Sequence, residues 1–275
     1  MKIKSKLSLA CASSALLFAT TTNAIVIYAG PPGTTTSGFA SGVSVETFNA
    51  DGIGFTTPSP NPAQRQLYST PQVYSGNVGT YTPNTRMETA RFTSEGFDLS
   101  GDGSRFFGVR FDDNQAVLTL NPHATNPNGM HNYFGFHWIA ADPFNRLTLR
   151  NSITNQQFIW TSANVLSEIG AAGQGNTLFA INGTEYDSDD YYGSPFSGFN
   201  TAEIYAFLHF YTEFYFDTVI FDQGPQFRFE SDNHTIMLGA RLDPDDSWVV
   251  VPEPSTYAAA FGILALLFAI RRRRK

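Results

Sequence analysis

Cysteine is nearly absent from this sequence, and its central part contains none. Cys11 is the single cysteine among the 275 residues, and it lies in the N-terminal segment. Its context, Ser8-Leu9-Ala10-Cys11, is a poor lipoprotein signal because most of the apolar run follows the cysteine. Residues 25–250 therefore cannot form disulfides or use thiolate chemistry, so an exported domain of this composition must be stabilised by its core.

Lysine is also absent between residues 25 and 250. This stretch holds nine arginines and 23 of the 24 acidic residues, which gives it a formal net charge of −14. Eight of the seventeen basic residues lie at the two ends of the chain instead. A surface with this charge repels nucleic acid and anionic lipid headgroups, but tolerates divalent cations and neutral sugars. A nucleic-acid partner is therefore not expected.

Familiar catalytic motifs are missing as well. The five histidines show no HExxH spacing, and no GxSxG elbow occurs. A glycosidase needs two carboxylates about 5 to 10 Å apart, and Glu203, Glu213 and Glu230 are the candidates for such a pair. We assign no catalytic residue and expect a non-enzymatic protein, with a secreted hydrolase acting on polysaccharide as the alternative.

The N-terminus has the pattern of a secretory signal peptide. Lys2, Lys4 and Lys6 precede an apolar run from Leu7 to Ala19, and small or neutral residues follow up to Ala24. The apolar run is shorter than the roughly 20 residues that a spanning helix needs. We therefore expect residues 1–24 to be a signal peptide that signal peptidase cleaves after Ala24.

The C-terminus, residues 251–275, combines three features in a fixed order. Pro252-Glu253-Pro254 is an extended, accessible segment because its prolines block helix and sheet. An apolar run from Tyr257 to Ile270 follows, short for a membrane span but flanked by an interfacial tyrosine and by arginines that can snorkel. Arg271, Arg272, Arg273, Arg274 and Lys275 end the chain and hold this end in the cytoplasm by the positive-inside tendency.

This tail resembles the PEP-CTERM sorting signal of Gram-negative bacteria. The resemblance implies that an exosortase recognises Pro252, Glu253 and Pro254 and removes the tail, so that a transient inner-membrane anchor gives way to the cell surface or the extracellular matrix. Systems of this type pair exosortases with polysaccharide production, which makes exopolysaccharide or a biofilm matrix the expected environment. An ordinary tail anchor is the alternative interpretation.

Between the two ends, the pattern is typical of an all-β domain. Short runs of apolar and aromatic residues are separated by glycine and proline, and amphipathic helical stretches are nearly absent, which favours a β-sandwich or jelly roll. We expect residues 91–250 to form the sandwich core and residues 25–90 to supply edge strands and loops. One helical turn is predicted at Asn164–Ile169, with Ser162 or Asn164 as its cap. Eight runs are predicted as strands: 106–111, 116–120, 133–139, 146–150, 157–160, 205–210, 218–221 and 226–230.

A second, moderately specific resemblance covers roughly residues 90 to 240. Tyr133-Phe134-Gly135-Phe136 leads into Trp138 and Asp142-Pro143-Phe144-Asn145, and Phe216-Asp217-Thr218 and Phe229-Glu230-Ser231-Asp232-Asn233-His234 follow later. This order is similar to that of exosortase-dependent surface proteins with a single β-sandwich ectodomain. That family has no established enzymatic activity, so the resemblance implies architecture more than chemistry.

A calcium loop is suggested by residues 98–103. Asp98 and Asp102 stand at alternating oxygen-bearing positions before Gly103, but Val109 occupies the twelfth position, where a bidentate glutamate belongs. A glycine-rich hairpin turn is the favoured alternative. We expect no cofactor, with structural Ca²⁺ as the one metal that the acidic loops suggest.

Glycan binding is the remaining hypothesis for the central domain. Exposed aromatic rings stack on sugars while Asp and Asn side chains hold hydroxyls. The candidates are Trp138, Asp142, Asn145, Tyr191 and Tyr192. Trp138 lies in an apolar strand that favours the core, whereas Tyr191 and Tyr192 lie in a Gly, Ser and Asp loop and are expected to be exposed. A self-assembling adhesin, pairing through edge strands in residues 49–85, is a further alternative.

Overall fold

The structure, a computed structural model, describes residues 25–48, 73–83, 87–90, 106–109, 115–139, 144–193, 201–223 and 229–251. Strands dominate this part of the chain, so the prediction of an all-β fold is confirmed. The strands are β1 (Ile25–Ala29), β2 (Val43–Glu46), β3 (Tyr74–Ser75), β4 (Gly79–Pro83), β5 (Met87–Ala90), β6 (Phe106–Val109), β7 (Gln115–Leu120), β8 (His131–Ile139), β9 (Arg146–Arg150), β10 (Gln157–Thr161), β11 (Thr177–Phe179), β12 (Glu185–Asp187), β13 (Ala206–Phe216), β14 (Thr218–Asp222), β15 (Phe229–Met237) and β16 (Val249–Val251). The helix α1 covers Ser162–Ile169, and short 3-10 turns cover Pro127–Gly129 and Ser188–Tyr191.

Two open antiparallel sheets contain most of the described strands. Sheet A has the order β16-β1-β13-β8-β15-β6-β5, and β2 pairs with β15 beside this path. Sheet B has the order β10-β9-β14-β7-β4-β3, and β11 and β12 form a separate hairpin. Each of the eight strand predictions overlaps an observed strand. β1 is not an edge strand, contrary to the expectation for residues 25–90, because it lies between β16 and β13.

The inner faces of the two sheets share one aromatic core. Alternate residues of β8 and β13, among them Phe136 and Phe210, point towards sheet B, as the two-residue period of a strand requires. From sheet B, β14 contributes Phe221, whose ring lies 6.4 Å from that of Phe136 and 6.1 Å from that of Phe134. The two layers are thus joined in a sandwich-like arrangement.

The outer face of sheet A is also covered. Tyr133, Tyr211 and Trp248 form a second buried cluster on this face, and the segments before β2 and before β16 pack over it. The ring of Trp248 stacks on His209 at a centroid distance of 3.5 Å and an interplanar angle of 20°. Coverage on both faces explains why every residue of β15 is buried, where a half-exposed strand would alternate.

Opposite ends of the sheets can be distinguished from the register. Ile25 pairs with Thr212 and Ile27 pairs with Val251, so β1 begins and β16 finishes at the same end of sheet A. Ala206 pairs with Trp138 at the other end of β13. We call these the Ile25 end and the α1 end, because the ring of Trp138 contacts Trp160, two residues before α1.

His234 forms a polar centre within the aromatic core. Its Nδ1 lies 2.8 Å from the Tyr81 hydroxyl and its Nε2 lies 2.8 Å from the Ser231 hydroxyl, and its ring stacks on Phe221 at 4.8 Å. Burial lowers the pKa of His234 to about 3, so the ring is neutral. A neutral imidazole has one donor and one acceptor nitrogen, so one hydroxyl donates to the ring and the other accepts from it.

Acid should therefore destabilise the fold through His234. The unfolded histidine binds a proton near pH 6.5 and the folded one near pH 3, so stability is complete above about pH 6.5 and falls as the pH drops towards 3. Below pH 6.5, protonation of His234 in the unfolded chain lowers the free energy of unfolding by about 1.4 kcal/mol per pH unit. Urea unfolding of the wild type and of His234→Gln between pH 8 and pH 4 measures this effect. Glutamine does not titrate, so the free energy of unfolding of the variant should fall less steeply with decreasing pH, by the contribution of one bound proton. Equal slopes would contradict the prediction.

Gly79 should not tolerate a side chain. It faces Leu120 across the β4–β7 pair, and a Cβ would lie 2.8 Å from Leu118 Cδ1, 2.9 Å from Leu120 Cα and closer still to the Thr119 carbonyl oxygen. We expect Gly79→Ala to lower the free energy of unfolding by about 1–3 kcal/mol in urea denaturation. Gly239→Ala is the control, because a Cβ there meets no atom within 4 Å, and it should change stability by less than about 0.5 kcal/mol.

Candidate functional site

Trp138 and Asn145, two of the predicted glycan-binding residues, lie in the core at the α1 end. Trp138 is fully buried in β8, its Nε1 donates to Asn145 Oδ1 at 3.0 Å, and its ring meets Trp160 edge to face at 5.0 Å. Asn145 precedes β9 and is equally buried. Trp138 is therefore a core residue, as the apolar pattern of its strand favours, and it presents no ring face to a sugar.

Tyr191 and Tyr192 occupy the 3-10 turn and the residue after it. Tyr191 is fully buried, and its hydroxyl donates to the Gly30 carbonyl at 2.9 Å. The expectation that Tyr191 is exposed is therefore wrong. Tyr192 is half-buried and donates to the Gly170 carbonyl at 2.5 Å. Burial raises the pKa of both tyrosines, and Asp189 raises that of Tyr192 further, so both hydroxyls stay protonated.

The fold nevertheless brings these predicted residues to one end of the molecule. Tyr205 N donates to Tyr191 O at 2.8 Å, and the next residue, Ala206, pairs with Trp138. Asn145 is bonded to the same tryptophan. Four of the five predicted glycan-binding residues thus meet at the α1 end. The fifth, Asp142, lies outside the described residues, as do Ala24, Asp98, Asp102, the sorting motif Pro252–Pro254 and the segment from Tyr257 to Arg274.

Three further side chains at the α1 end carry polar atoms without a partner among the described residues. They are Trp160 Nε1, Ser162 Oγ and both amide atoms of Gln223, and all three residues are at least nine-tenths buried. The Ser162 amide donates to the Asn145 carbonyl at 3.0 Å, and Gln223 directly follows Asp222, which pairs with Arg146. Buried groups of this kind either lower stability or are satisfied by ordered water or by hydroxyls of a ligand.

Sequence reasoning missed Ser162 and Gln223. Ser162 directly follows β10, Gln223 directly follows β14, and Asn145 directly precedes β9. In adjacent antiparallel strands, the end of one strand lies beside the start of the next, so these three residues could have been predicted to lie close together. The pairing order β10-β9-β14, which the sequence does not give, was needed to recognise it.

Of the predicted carboxylates, Glu203 and Glu230 lie at the α1 end of sheet A and Glu213 does not. Glu203 lies before β13 at the α1 end, whereas Glu213 lies seven residues beyond Ala206 in that strand, about 23 Å further along. This separation is too large for a glycosidase pair, which needs about 5–10 Å. Glu230 is buried in β15 opposite Ile139. Among the described residues, no group of three or more His, Cys, Asp or Glu side chains could hold a metal ion.

Two further buried histidines, His131 and His209, are held neutral by burial. Burial lowers the pKa of His209 well below its ordinary value, and Tyr133 shares a hydrogen bond with its Nδ1 at 3.0 Å. Burial also lowers the pKa of His131, whose Nε2 donates to the Asn121 carbonyl at 2.7 Å. His123 donates through Nε2 to the Gly239 carbonyl and accepts two backbone amides at Nδ1. These contacts give the histidines structural roles.

No protein-family model matches this chain, and neither a curated protein nor a solved structure matches it. The family resemblances of the sequence therefore stay predictions. In the described part of the chain, no helix is long and apolar enough to cross a membrane. The predicted membrane-spanning segment, 257–270, lies outside that part.

Substitution of Gln223 tests whether its amide has a partner in solution. An amide buried without hydrogen bonds costs stability, so Gln223→Met should raise the free energy of unfolding by about 1–3 kcal/mol. Asn151→Leu is the matched control, because Asn151 donates to the Tyr215 carbonyl at 2.8 Å and accepts from the amides of Ile153 and Thr154. That variant should be destabilised. Destabilisation of Gln223→Met as well would instead show that water or a bound molecule satisfies the amide.

Proposed function

We propose that this chain is an exported, non-enzymatic surface protein, processed by an exosortase and associated with an exopolysaccharide or biofilm matrix. The ordered tail carries the proposal: Pro252-Glu253-Pro254, the apolar run and the basic end follow one another directly. In its finer form, the proposal comprises a signal peptide, one β-sandwich or jelly-roll ectodomain and a transmembrane sorting helix.

The boundary between domain and tail supports this proposal. β16 finishes at Val251 and pairs with β1, so ordered structure extends to the residue before Pro252. β1 begins at Ile25, the residue after the predicted cleavage site. The predicted processing sites therefore lie outside the described strands β1 and β16.

The position of the two boundaries gives further support. Ile25 and Val251 both lie at the Ile25 end of sheet A. A domain held through residue 252 onwards would have its Ile25 end towards the membrane and its α1 end away from it. The buried polar groups around Asn145, Ser162 and Gln223 would then lie at the end that faces the matrix.

The non-enzymatic part of the proposal rests on the absence of a familiar catalytic motif in the sequence and on the contacts that give the histidines at positions 123, 131, 209 and 234 structural roles. Glu213 is too far from Glu203 to act with it, whereas Glu203 and Glu230 both lie at the α1 end and are the carboxylates to replace in a turnover assay. A hydrolase on matrix polysaccharide is the alternative that a turnover assay with the purified protein would detect.

The sorting motif is tested by replacing Pro252, Glu253 and Pro254 with alanine in the full chain. The unprocessed form should accumulate in the inner membrane, because the exosortase no longer recognises the tail, and immunoblots of fractionated cells measure it. Pro244→Ala is the control, since Pro244 is half-buried between the exposed Asp243 and Asp245 in the loop before β16, and it should be processed normally. Normal surface delivery of the triple variant would contradict the sorting proposal.

Matrix association is tested by co-sedimenting the processed protein with native exopolysaccharide, with calcium and with chelator. Binding in both buffers supports direct recognition of the glycan, and binding lost with chelator supports calcium in the acidic loops. Absence of binding in both would exclude the polysaccharide as the partner and leave the sorting proposal standing on the first test.

A further inference from the structure

The outer edge of β10 is an open strand edge of sheet B. Two backbone hydrogen bonds show which residues of β10 face β9 and which face outwards. Asn151 N donates to Gln156 O at 2.9 Å, and Ser162 N donates to Asn145 O at 3.0 Å. Because bonded and non-bonded pairs alternate in an antiparallel ladder, Phe158 and Trp160 bond to β9. Gln157, Ile159 and Thr161 direct their N–H and C=O groups away from the sheet.

Helix α1 satisfies the outward backbone groups of one of these three residues, Thr161. The Thr161 amide donates to Asn164 Oδ1 at 2.9 Å, and its carbonyl begins the helix as the N-cap. Gln157 and Ile159 have no backbone partner beyond the strand among the described residues. The side chain of Ile159 is 46% exposed. The open edge therefore offers two donors and two acceptors beside an exposed apolar side chain.

The charge around this edge differs from that of the rest of the domain. Residues 144–167 contain no acidic residue and two arginines, Arg146 and Arg150, within a domain whose formal net charge is −14. The carboxylates that contact this hairpin come from β14 and the residue before it, where Asp222 pairs with Arg146 and Asp217 accepts from Ser152. The edge strand itself, Gln157–Thr161, has no charge and no proline. Charges and prolines are the devices that block edge-to-edge pairing, so this edge lacks both.

We propose that a second copy of this chain binds here, by antiparallel pairing of β10 with β10 about a two-fold axis through Phe158. In this register Gln157 pairs with Ile159 of the partner subunit, and Ile159 pairs with Gln157 of the partner subunit. These two pairs form four hydrogen bonds, which satisfy all the open backbone groups on both copies. Sheet B then continues from one copy into the other.

A second copy fits this edge better than an unrelated extended peptide. The open edge is two residues long, because Thr161 is closed, so a longer peptide gains no further ladder bonds. The symmetric register places Phe158, partly buried at the core margin, next to Phe158 of the partner subunit on the same face. It also keeps acidic residues out of the contact, which an acidic domain needs in order to approach its own copy. The inference does not depend on the proposed export or on any glycan.

Disulfide trapping tests the register in the full chain with Cys11→Ser, which removes the single native thiol. Under mild oxidation Phe158→Cys should give a covalent dimer, because directly opposed residues have Cα atoms about 4.5–5.5 Å apart. Ile159→Cys should not, because the two copies of residue 159 are diagonal neighbours about 7–8 Å apart. Non-reducing gels measure both. Cross-linking of Ile159→Cys but not Phe158→Cys would overturn the register.

Sedimentation of the full chain in mild detergent tests the association itself. Ile159→Pro removes an outward donor without touching the β9 ladder, and its two lost bonds per dimer should lower the association constant at least about tenfold. Ile159→Lys should do the same by adding like charges at the contact. Thr119→Lys, which is exposed on the central strand β7, is the matched control and should change association less than about twofold. Association that persists in both Ile159 variants, or a monomer at every concentration, would overturn the proposal.

Discussion

The ring of Phe221 stacks on His234 across the gap between the two sheets, and most of the fold depends on this contact region. The rings of Phe107, Phe134 and Phe136 lie within 6.3 Å of the same imidazole, so residues of both sheets meet there. The residues between 25 and 250 include no cysteine, so no disulfide within this stretch stabilises the domain. Apolar contact between the sheets has to provide that stability, and the histidine has to stay neutral for the contact to be favourable.

The polar groups in this core are paired with each other where they are central. Tyr81 and Ser231 each share a hydrogen bond with His234, and Glu46, also buried, accepts the amides of Phe48 and Asn77. Towards the α1 end the pairing is incomplete, since Trp160, Ser162 and Gln223 keep polar atoms without partners. The difference matters because a satisfied network makes a core rigid, whereas unsatisfied groups need water or a ligand. Unsatisfied buried atoms are not confined to that end, however, since His131, Arg150, His209 and Tyr211 each keep one as well.

Much of the fold could be predicted from local pattern. Short apolar runs bounded by glycine and proline identified β7, β9 and β14 nearly to the residue, since each such run has the length and spacing of a strand. The helix was predicted from Asn164 but begins at Ser162, because Thr161 is the N-cap and Asn164 closes the capping box from inside the helix. Pairing between distant strands, such as β1 with β13, left no local signal.

The candidate site was less predictable because burial depends on distant contacts. Tyr191 lies among Gly, Ser and Asp residues, which is typical of an exposed loop, yet its hydroxyl finds the Gly30 carbonyl 161 residues away in sequence. Trp138 was a glycan-binding candidate, and the apolar pattern of its own strand, which favours the core, was the better guide. Gln223 had no apolar or aromatic signature, and only the strand order of sheet B places it beside Asn145.

The distribution of charge is the last constraint that the fold imposes. An acidic surface keeps copies of a protein apart, and it also suppresses edge-to-edge pairing of open strands. Acidic residues surround β11 and β12, where Glu185, Asp187, Asp189 and Asp190 follow one another closely, but none occurs in the hairpin of β9 and β10 or in the first turn of α1. This local absence leaves the open edge of β10 without acidic side chains of its own. The backbone groups of Thr161 are satisfied by α1, and those of the turn before Gln157 are satisfied within the turn. The open part of the edge therefore has a fixed length of two residues. A contact of fixed length favours one defined pairing over open-ended aggregation.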